Sequence, residues 1–242
     1  MKQWGNMLLA ALPPATLALF QHDLLRVTLP QNTVCFDAGD PIQHVYFPTS
    51  GLISLVLSTK DGDLIEAGMV GREGAAGLQS ALGRRISFAR AVVQIAGTFY
   101  RIPVEPLRRA IDQSEQARQV VYRYTEVLLA ETQRLAACNA VHHGESRLAR
   151  WLLQAADRTG TDRLALTQEF LGEMLALRRT SVTLLAQALQ DRGIIRYSRG
   201  KITLVDREAL QASACDCYHV IQELYRELYS RPTAFTDVAQ SI

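Results

Sequence analysis

The sequence lacks the features that mark several large classes of protein. No uninterrupted apolar run approaches the about 20 residues of a membrane-spanning helix, and Pro13 and Pro14 interrupt the short apolar run near the start before a signal-peptide pattern develops. There is no low-complexity tract, and the 242 residues are 48% hydrophobic and 21% charged, a balance that argues against wholesale disorder. We therefore expect a folded, cytoplasmic protein of one large or two ordinary domains, without a membrane partner.

Cysteine and histidine are scarce, which limits the metal chemistry open to the chain. The four cysteines, expected to be reduced thiols in a cytoplasmic protein, are Cys35, Cys138, Cys215 and Cys217. Cys215-x-Cys217-x-His219 suggests a metal site, but the segment is predicted to be helical, and residues two apart on a helix do not share a face. Cys215 and His219, which are four apart, could do so. His142 and His143 have no acidic or thiol partner at ligand spacing. We therefore predict no metal site, only buried thiols and hinge or surface histidines.

Motifs typical of enzymes are also missing. The chain contains no P-loop, dinucleotide fingerprint or nucleophile elbow. A metal-dependent β-barrel enzyme, or a subunit of one, would need a His/Glu cluster on facing strands, and the β-rich region offers only His44, Glu66 and Glu73. We therefore disfavour the enzymatic alternative.

Residues 166–189 have the pattern of two short helices joined by a tight turn. Thr167 is a suitable N-cap, and apolar residues recur at helical spacing in both halves. Arg178 and Arg179 open the second half, with Ser181 and Thr183 beside them. In a helix-turn-helix this end of the second helix enters the major groove, where arginine can pair with guanine. The alternative is an ordinary helical hairpin with solvated arginines.

The residues that follow favour a DNA-binding motif over an ordinary helical hairpin. Gly193 can end the second helix, and residues 194–205 have the pattern of a β-hairpin around a glycine turn. Helix, turn, helix and a two-stranded wing make a winged helix. Between positions 178 and 201 there are six basic residues and one acidic residue, a local charge of +5 in a chain whose net charge is +2. Such a basic cluster is the electrostatic footprint of nucleic-acid binding.

This region resembles the C-terminal domain of the Crp/Fnr family of bacterial transcription regulators. The segments that carry the resemblance are LTQEFLGEML, RRTSVT, LQDRGIIRY and RGKITLVD. In nucleotide-binding relatives the recognition helix carries Arg-Glu-Thr and a later Arg; here Arg179 matches the first Arg, while Thr180 and Leu184 replace the Glu and the later Arg. We therefore expect a different operator sequence. The predicted DNA-binding residues are Thr167, Gln168, Arg178, Arg179, Ser181, Thr183, Arg199 and Lys201.

The N-terminal half has the pattern of a small β-barrel or jelly roll. Seven short β-rich segments, broken by turn residues, are expected at 24–29, 33–36, 44–47, 52–58, 64–69, 91–95 and 98–102. The segments AGDPIQHVYFPTSGLISLV, DGDLIEAGMVGREG and AVVQIAGTFYRIP resemble the cyclic-nucleotide-binding-like β-roll of the same family. The predicted fold is α+β: an N-terminal β-roll (residues 1–111), a dimerisation helix (112–140), a C-terminal winged helix-turn-helix with an extra helix (141–230) and a loose tail (231–242). Within the C-terminal part, residues 159–164 are expected to form a loop, and Asp206 is expected to cap one final helix at 207–229.

The resemblance also implies a phosphate cassette, from which this chain departs. Nucleotide-binding members have Gly-Glu-Leu near its start and Arg-Ser/Thr-Ala near its end; here Gly71-Arg72-Glu73-Gly74 and Ser87-Phe88-Ala89 stand at those places. The phosphate-binding arginine is therefore absent unless a nearby arginine substitutes for it. This disfavours cAMP and leaves the effector, if there is one, unknown. The candidate effector-binding residues are Gly71, Glu73, Arg84, Arg85, Ser87 and Arg90.

A long helix is predicted over residues 112–139, which contain no glycine or proline. Its apolar residues alternate spacings of four and three, as in a coiled coil interrupted at Glu131. In the family this helix pairs with its twin, and the alternative is a helix packed only on its own β-roll. The predicted dimer seam is Ala117, Val121, Tyr124, Leu128 and Leu135.

The partners implied by the resemblance are double-stranded DNA, a second copy of the chain and, as a further candidate, RNA polymerase. Some family members sense oxygen through an iron–sulfur cluster on an N-terminal cysteine group, but this N-terminus has only Cys35. Such a cluster is therefore not expected. An effector-independent regulator with a degenerate sensor domain remains open beside the effector-controlled one.

Overall fold

The computed structural model describes residues 4–60, 64–83 and 85–230. The tail predicted at 231–242 lies outside these residues. Within them, no helix is both long enough and apolar enough to cross a lipid bilayer.

The N-terminal half is a β-roll made of two antiparallel sheets. One sheet has the strand order β1-β7-β3 and the other β2-β6-β4-β5, and the apolar faces of both enclose a core that contains Phe36, Phe47 and Phe99. All seven predicted strands are confirmed within one or two residues. They are β1 (Leu25–Leu29), β2 (Val34–Phe36), β3 (His44–Pro48), β4 (Leu52–Ser58), β5 (Leu64–Val70), β6 (Arg90–Ile95) and β7 (Gly97–Pro103).

Short helices close the ends of the β-roll. Asn6 caps the first of them by accepting the Leu9 N–H, while its amide group donates to the carbonyls of Pro48 and Gly74. Single 3-10 turns at Gln21–Asp23 and Leu78–Ala81 complete the connections. The helices are α1 (Met7–Ala11), α2 (Pro14–Phe20) and α3 (Val104–Asp112).

The long helix α4 (Glu115–Val141) begins after Ser114, whose side chain accepts the Ala117 N–H. The predicted dimer seam lies on the side of α4 that packs into its own chain. Leu128 is half-buried, and the other four seam residues, Ala117, Val121, Tyr124 and Leu135, are at most 5% exposed. The prediction of these residues as a dimer seam is therefore wrong, because spacing identifies an apolar face but not the surface that covers it.

The C-terminal half is a winged helix-turn-helix domain. Its third sheet has the order β8-β10-β9, so the wing has one more strand than predicted: residues 163–165 pair with β10 where a loop was expected. The elements are α5 (Gly144–Thr159), β8 (Arg163–Ala165), α6 (Gln168–Leu175), α7 (Arg179–Asp191), β9 (Ile195–Ser198) and β10 (Lys201–Leu204).

The predicted final helix 207–229 is two helices, α8 (Arg207–Ser213) and α9 (Cys217–Ser230). Asp206 caps α8 by accepting the Ala209 N–H, and the chain becomes extended at Ala214, where the backbone ψ is 155°. Cys215 therefore lies in the junction, not on a helix with Cys217. The argument that these two thiols face opposite sides of one helix is consequently wrong.

One buried arginine joins the parts of the molecule. Arg158 on α5 donates to both carboxylate oxygens of Glu131 on α4, at 2.7 and 2.9 Å. It also donates to the Met69 carbonyl of β5, its Nε lies 3.4 Å from Glu73 Oε1, and its guanidinium lies over the ring of Tyr225 on α9. The β-roll, the long helix and the winged helix-turn-helix domain therefore share one polar centre.

Candidate nucleic-acid interface

The geometry of the helix-turn-helix follows from a few local features. Thr167 Oγ1 accepts the Phe170 N–H at 3.2 Å and starts α6, as predicted. The turn places Ala176 in the left-handed region at a φ of 49°, and the Leu177 N–H donates to the Gly172 carbonyl at 2.8 Å. A Cβ on Gly172 would lie 2.8 Å from the Leu177 carbonyl oxygen. Glycine is therefore required for α6 to approach the turn so closely.

Helix α7 presents one polar and one apolar side. Val182, Ala186 and Leu189 are buried in the domain core. Thr183 is exposed on the opposite side, and its hydroxyl lies 2.8 Å from Gln168 Oε1, which couples the two helices at the surface. Ser181, also predicted to contact DNA, is only half-exposed.

The structure adds three residues to the exposed side of α7: Thr180, Leu184 and Gln187. Leu184 is 71% exposed, an unusual position for a leucine on a helix with a buried side. An apolar side chain here can contact a thymine methyl group. The sequence already indicated this side of the helix. Leu184 lies four positions after Thr180 and Gln187 lies four positions after Thr183, so helical spacing places them on one face.

The wing carries basic side chains at its tip. Arg199 and Gly200 form the turn between β9 and β10 with φ values of 48° and 72°, and Lys201 follows on β10. Among the residues the structure describes, Arg178, Arg179, Arg196, Arg199 and Lys201 are exposed and form no ion pair. Arg192 differs, because it pairs with Glu145 at 2.5 Å. The uncompensated positive charge is therefore concentrated at the start of α7 and on the wing.

The residues predicted to bind an effector are not brought to one site. Arg85 pairs with Glu105, and Arg90 donates to both oxygens of Asp37 at 2.9 Å on the surface. Ser87 donates to the Ala89 carbonyl at 2.6 Å. Arg84 lies outside the described residues. Arg85 and Arg90 are therefore each paired with a different carboxylate.

Gly71 and Glu73 instead contribute to the contact between the β-roll and Arg158 of α5. A Cβ on Gly71 would lie 2.4 Å from Arg158 Cβ, so this glycine allows α5 to pack on the β-roll. The buried carboxylate of Glu73 accepts the Gly71 N–H at 2.9 Å and faces Arg158, and burial raises its pKa. The five predicted effector-binding residues that the structure describes therefore make packing, hydrogen-bond and ion-pair contacts within the chain.

The DNA-binding domain docks on the outer face of the β4-β5 pair. Trp151 of α5 donates its Nε1–H to Glu66 Oε1 at 2.8 Å, and Ser54 donates to the other oxygen. Around them, Leu52 and Met69 of the β-roll share one apolar cluster with the DNA-binding domain. Complete burial raises the pKa of Glu66 to about 7, although the two hydrogen bonds lower it.

A cluster of cysteine and histidine side chains lies where α4, α5 and the α8–α9 junction meet. The sulfur atoms of Cys138 and Cys215 are 3.5 Å apart, and Cys217 Sγ lies 3.6 Å from His142 Nδ1. All four possible ligand atoms lie within 4.8 Å of one another. The hydrogen bond from Cys215 lowers the pKa of Cys138. These residues could hold a metal ion, which the sequence analysis did not predict.

Comparisons with known proteins agree with both halves of the fold. The model of the Crp-like helix-turn-helix domain matches residues 146–213, and that of the cyclic nucleotide-binding domain matches residues 26–114. The global nitrogen regulator of Nostoc sp. is 25% identical over 187 residues, covering 73% of this chain and 83% of that protein.

Solved structures show the same architecture. FixK2 from Bradyrhizobium japonicum has a TM-score of 0.68 at 18% identity, covering 79% of this chain and 98% of that one. A transcriptional regulator of the Crp/Fnr family from Eubacterium rectale has a TM-score of 0.64 at 22% identity, covering 85% and 98%.

The winged helix and the β-roll together define a DNA-binding transcription regulator, not an enzyme. The chain belongs to the Crp/Fnr family.

The raised pKa of Glu66 makes the domain interface sensitive to pH. The folded protein holds this proton up to about pH 7, whereas in the unfolded chain the carboxyl group has its ordinary pKa of 4.5 and releases the proton earlier. The free energy of unfolding should therefore fall as pH rises between those values. The shift corresponds to about 3 kcal/mol. We expect Glu66→Gln to remove most of this decrease in urea denaturation at pH 5 to 8. The control is Glu227→Gln at an exposed position of α9, and equal pH profiles for wild type and Glu66→Gln would contradict the assignment.

Proposed function

We propose that the chain acts as a homodimer that binds an inverted-repeat operator through α7 and the wing. The observation that carries this proposal is the set of exposed, unpaired basic residues at the start of α7 and on the wing. Two symmetry-related recognition helices about one DNA turn apart, ~34 Å, would read half-sites in opposite orientations.

Within this proposal, α7 and the wing have different tasks. Arg179 and Thr183 lie on the exposed side of α7, with Leu184 beside them, so these residues are assigned to base edges. Arg199 and Lys201 at the wing tip are assigned to phosphates, because a flexible cation binds a phosphate without reading sequence. Thr167 and Gln168 at the start of α6, together with Arg178, are assigned to contacts with the sugar-phosphate backbone of the DNA.

The proposed dimer surface is the exposed side of α4. Tyr122, Leu129 and Ala136 recur every seven residues, and Tyr122 and Leu129 are 48% and 58% exposed. Together with Glu126, Gln133 and Ala140 they alternate spacings of four and three, which is the pattern of a coiled-coil seam. The small alanines allow two helices to approach closely near their C-terminal ends. This surface replaces the seam expected from the sequence.

Control by an effector is a separate question from DNA binding. The contacts of Arg85 and Arg90 favour a regulator that does not respond to cyclic nucleotides, since both arginines are already paired with carboxylates. The DNA-binding domain is also joined to the β-roll by a buried interface. A regulatory signal would therefore act by changing the relative stability of this docked arrangement. RNA polymerase remains a candidate partner from the family resemblance, and a cytoplasmic location is the corresponding expectation.

Arg179→Ala tests the base contact. The operator is first selected from random DNA with the wild-type protein, and affinities for the selected and random sequences are then measured at fixed salt. We expect the variant to lose ~1–3 kcal/mol on the operator and to tolerate one additional base at a single position of each half-site. Arg26→Ala, an exposed arginine on β1, is the control. Equal losses on operator and random DNA would rule out base reading by Arg179.

Lys201→Ala tests the phosphate contact at the wing. Removing one phosphate contact per protomer should weaken binding to all sequences and reduce the slope of log affinity against log salt by about one per protomer. Arg26→Ala again serves as the charge-matched control. A slope unchanged from wild type would exclude Lys201 from the phosphate contacts.

Leu129→Glu tests the dimer surface. A charge at the centre of the proposed seam should dissociate the dimer in sedimentation experiments, and operator affinity should fall with it because only one half-site is then bound at a time. Leu19→Glu is the matched control, since Leu19 on α2 is 54% exposed. A Leu129→Glu protein that sediments as a dimer, or a monomeric wild type that binds its operator fully, would contradict the proposal.

A further inference from the structure

Three of the four cysteines meet one histidine at a junction of three segments. Cys138 lies in the last turn of α4, His142 follows directly after that helix, and Cys215 and Cys217 come from the α8–α9 junction. Cys138 and Cys215, whose sulfur atoms are neighbours, are 77 residues apart in sequence. Cys138 and Cys217 are almost fully buried, Cys215 is 7% exposed, and His142 is half-buried. Nothing in the proposed DNA contacts uses this cluster.

We propose that Cys138, His142, Cys215 and Cys217 bind one Zn²⁺ ion. Zinc–sulfur bonds of ~2.3 Å and zinc–nitrogen bonds of ~2.0 Å in a tetrahedron require ligand atoms about 3.5 to 3.8 Å apart. Two of the separations are already 3.5 and 3.6 Å, and none exceeds 4.8 Å. Small side-chain rotations would therefore bring the remaining atoms to bonding positions.

The histidine has the support that a metal ligand requires. Its Nδ1 faces Cys217, and its Nε2 lies 3.4 Å from Asp216 Oδ1. A carboxylate on the second ring nitrogen holds the proton there and leaves the first nitrogen free to bind a metal. Arg134 fixes this carboxylate in turn, by donating to its other oxygen at 2.6 Å.

The surroundings also suit a negatively charged cluster. Three thiolates and one Zn²⁺ ion carry a net charge of −1, which must be balanced at a buried site. Arg150 and Arg147 lie close enough for their charges to act on Cys138, and the charge of Arg134 acts on Cys217. Each of these three arginines has a buried Nε–H without a hydrogen-bond acceptor among the described residues. Thiolates formed on metal binding would supply the missing negative charge.

The ligand set favours a single zinc ion over other occupants. An iron–sulfur cluster would need ligands spread around a core of several atoms, whereas these four converge on one point. Thiolate and imidazole ligands in a tetrahedron are typical of zinc, and hard cations such as Mg²⁺ prefer oxygen. Four protein ligands leave no open position, so the ion would be structural: it would fasten the end of α4 to the α8–α9 junction. Metal binding would release the thiol protons to solvent.

The test uses the full chain, stripped with a chelator under reducing and anaerobic conditions and then titrated with Co²⁺ and Zn²⁺. We expect one Co²⁺ per chain, with the intense visible bands of a tetrahedral ion and a sulfur-to-cobalt charge-transfer band. Zn²⁺ should displace the Co²⁺ and raise the melting temperature. Elemental analysis of protein purified without a metal-affinity tag should find zinc near one equivalent.

Matched variants locate the site. His142→Ala should weaken metal binding at least tenfold, while His143→Ala, its exposed neighbour, should bind as wild type does. Cys217→Ser should weaken Co²⁺ binding and, at saturating Co²⁺, lower the charge-transfer intensity by about one third, because two of three thiolates remain. Cys35→Ser, at the cysteine on β2, should change neither. Circular dichroism of each metal-free variant distinguishes loss of the metal site from loss of the fold. If a cysteine variant does not fold, His142→Ala, which keeps all three thiols, still tests the site.

Three results would overturn the proposal: a wild-type chain that takes up no stoichiometric Co²⁺ or Zn²⁺, bound Co²⁺ without a sulfur charge-transfer band, or a His142→Ala protein with unchanged affinity. A Cys138–Cys215 disulfide that forms in the presence of excess Zn²⁺ would do the same. None of these readouts depends on DNA binding, so the zinc site can fail while the proposed function stands.

Discussion

The arrangement of the whole molecule depends on the buried ion pair between Arg158 and Glu131. A buried charge is costly unless it is paired and fully hydrogen-bonded, and here the carboxylate accepts two bonds from Arg158 and a third, at 2.8 Å, from the Tyr225 hydroxyl. The guanidinium also reaches the β-roll at Met69 and Glu73. Because the partners come from four separate parts of the chain, none of these parts can move alone without leaving a charge or a polar group unsatisfied.

This constraint explains why the β-roll and the DNA-binding domain form one continuous structure. Gly71 gives α5 the space to approach, Arg158 supplies the polar contact, and Trp151 and Glu66 extend the interface along β5. Gly71 and Glu73, at the start of the family's cassette position, serve this docking. Under the proposed function, a signal that alters DNA binding would act on the docked interface. The Cys/His cluster lies at the other end of the same region, where α4 passes into α5, and there a bound ion would add a second fixed point.

The local patterns of the sequence predicted most of the local structure. The errors are the extra strand β8, the break between α8 and α9, and contacts between distant residues. Short β-rich segments bounded by turn residues located every strand of the β-roll, and Thr167, Gly193 and the arginines located the helix-turn-helix. The seam on α4 was misassigned because Val121 and Tyr124 have the same spacing whether a second copy or the chain's own β-roll covers them. The Cys/His cluster was missed because residues 207–229 were predicted to form one helix. The break at Ala214 brings Cys215 and Cys217 to one side, and Cys138 reaches them only through the tertiary fold.

The most direct test of this account is a double-mutant cycle on Arg158 and Glu131, measured by urea denaturation at a fixed protomer concentration. Arg158→Met alone should lower the free energy of unfolding by ~3–5 kcal/mol, because it leaves a buried carboxylate unpaired. Adding Glu131→Gln should restore part of that loss, with a coupling energy of ~2 kcal/mol or more. If the two single substitutions were instead additive to within ~0.5 kcal/mol, the ion pair would not be the interaction that holds the β-roll, the long helix and the DNA-binding domain together.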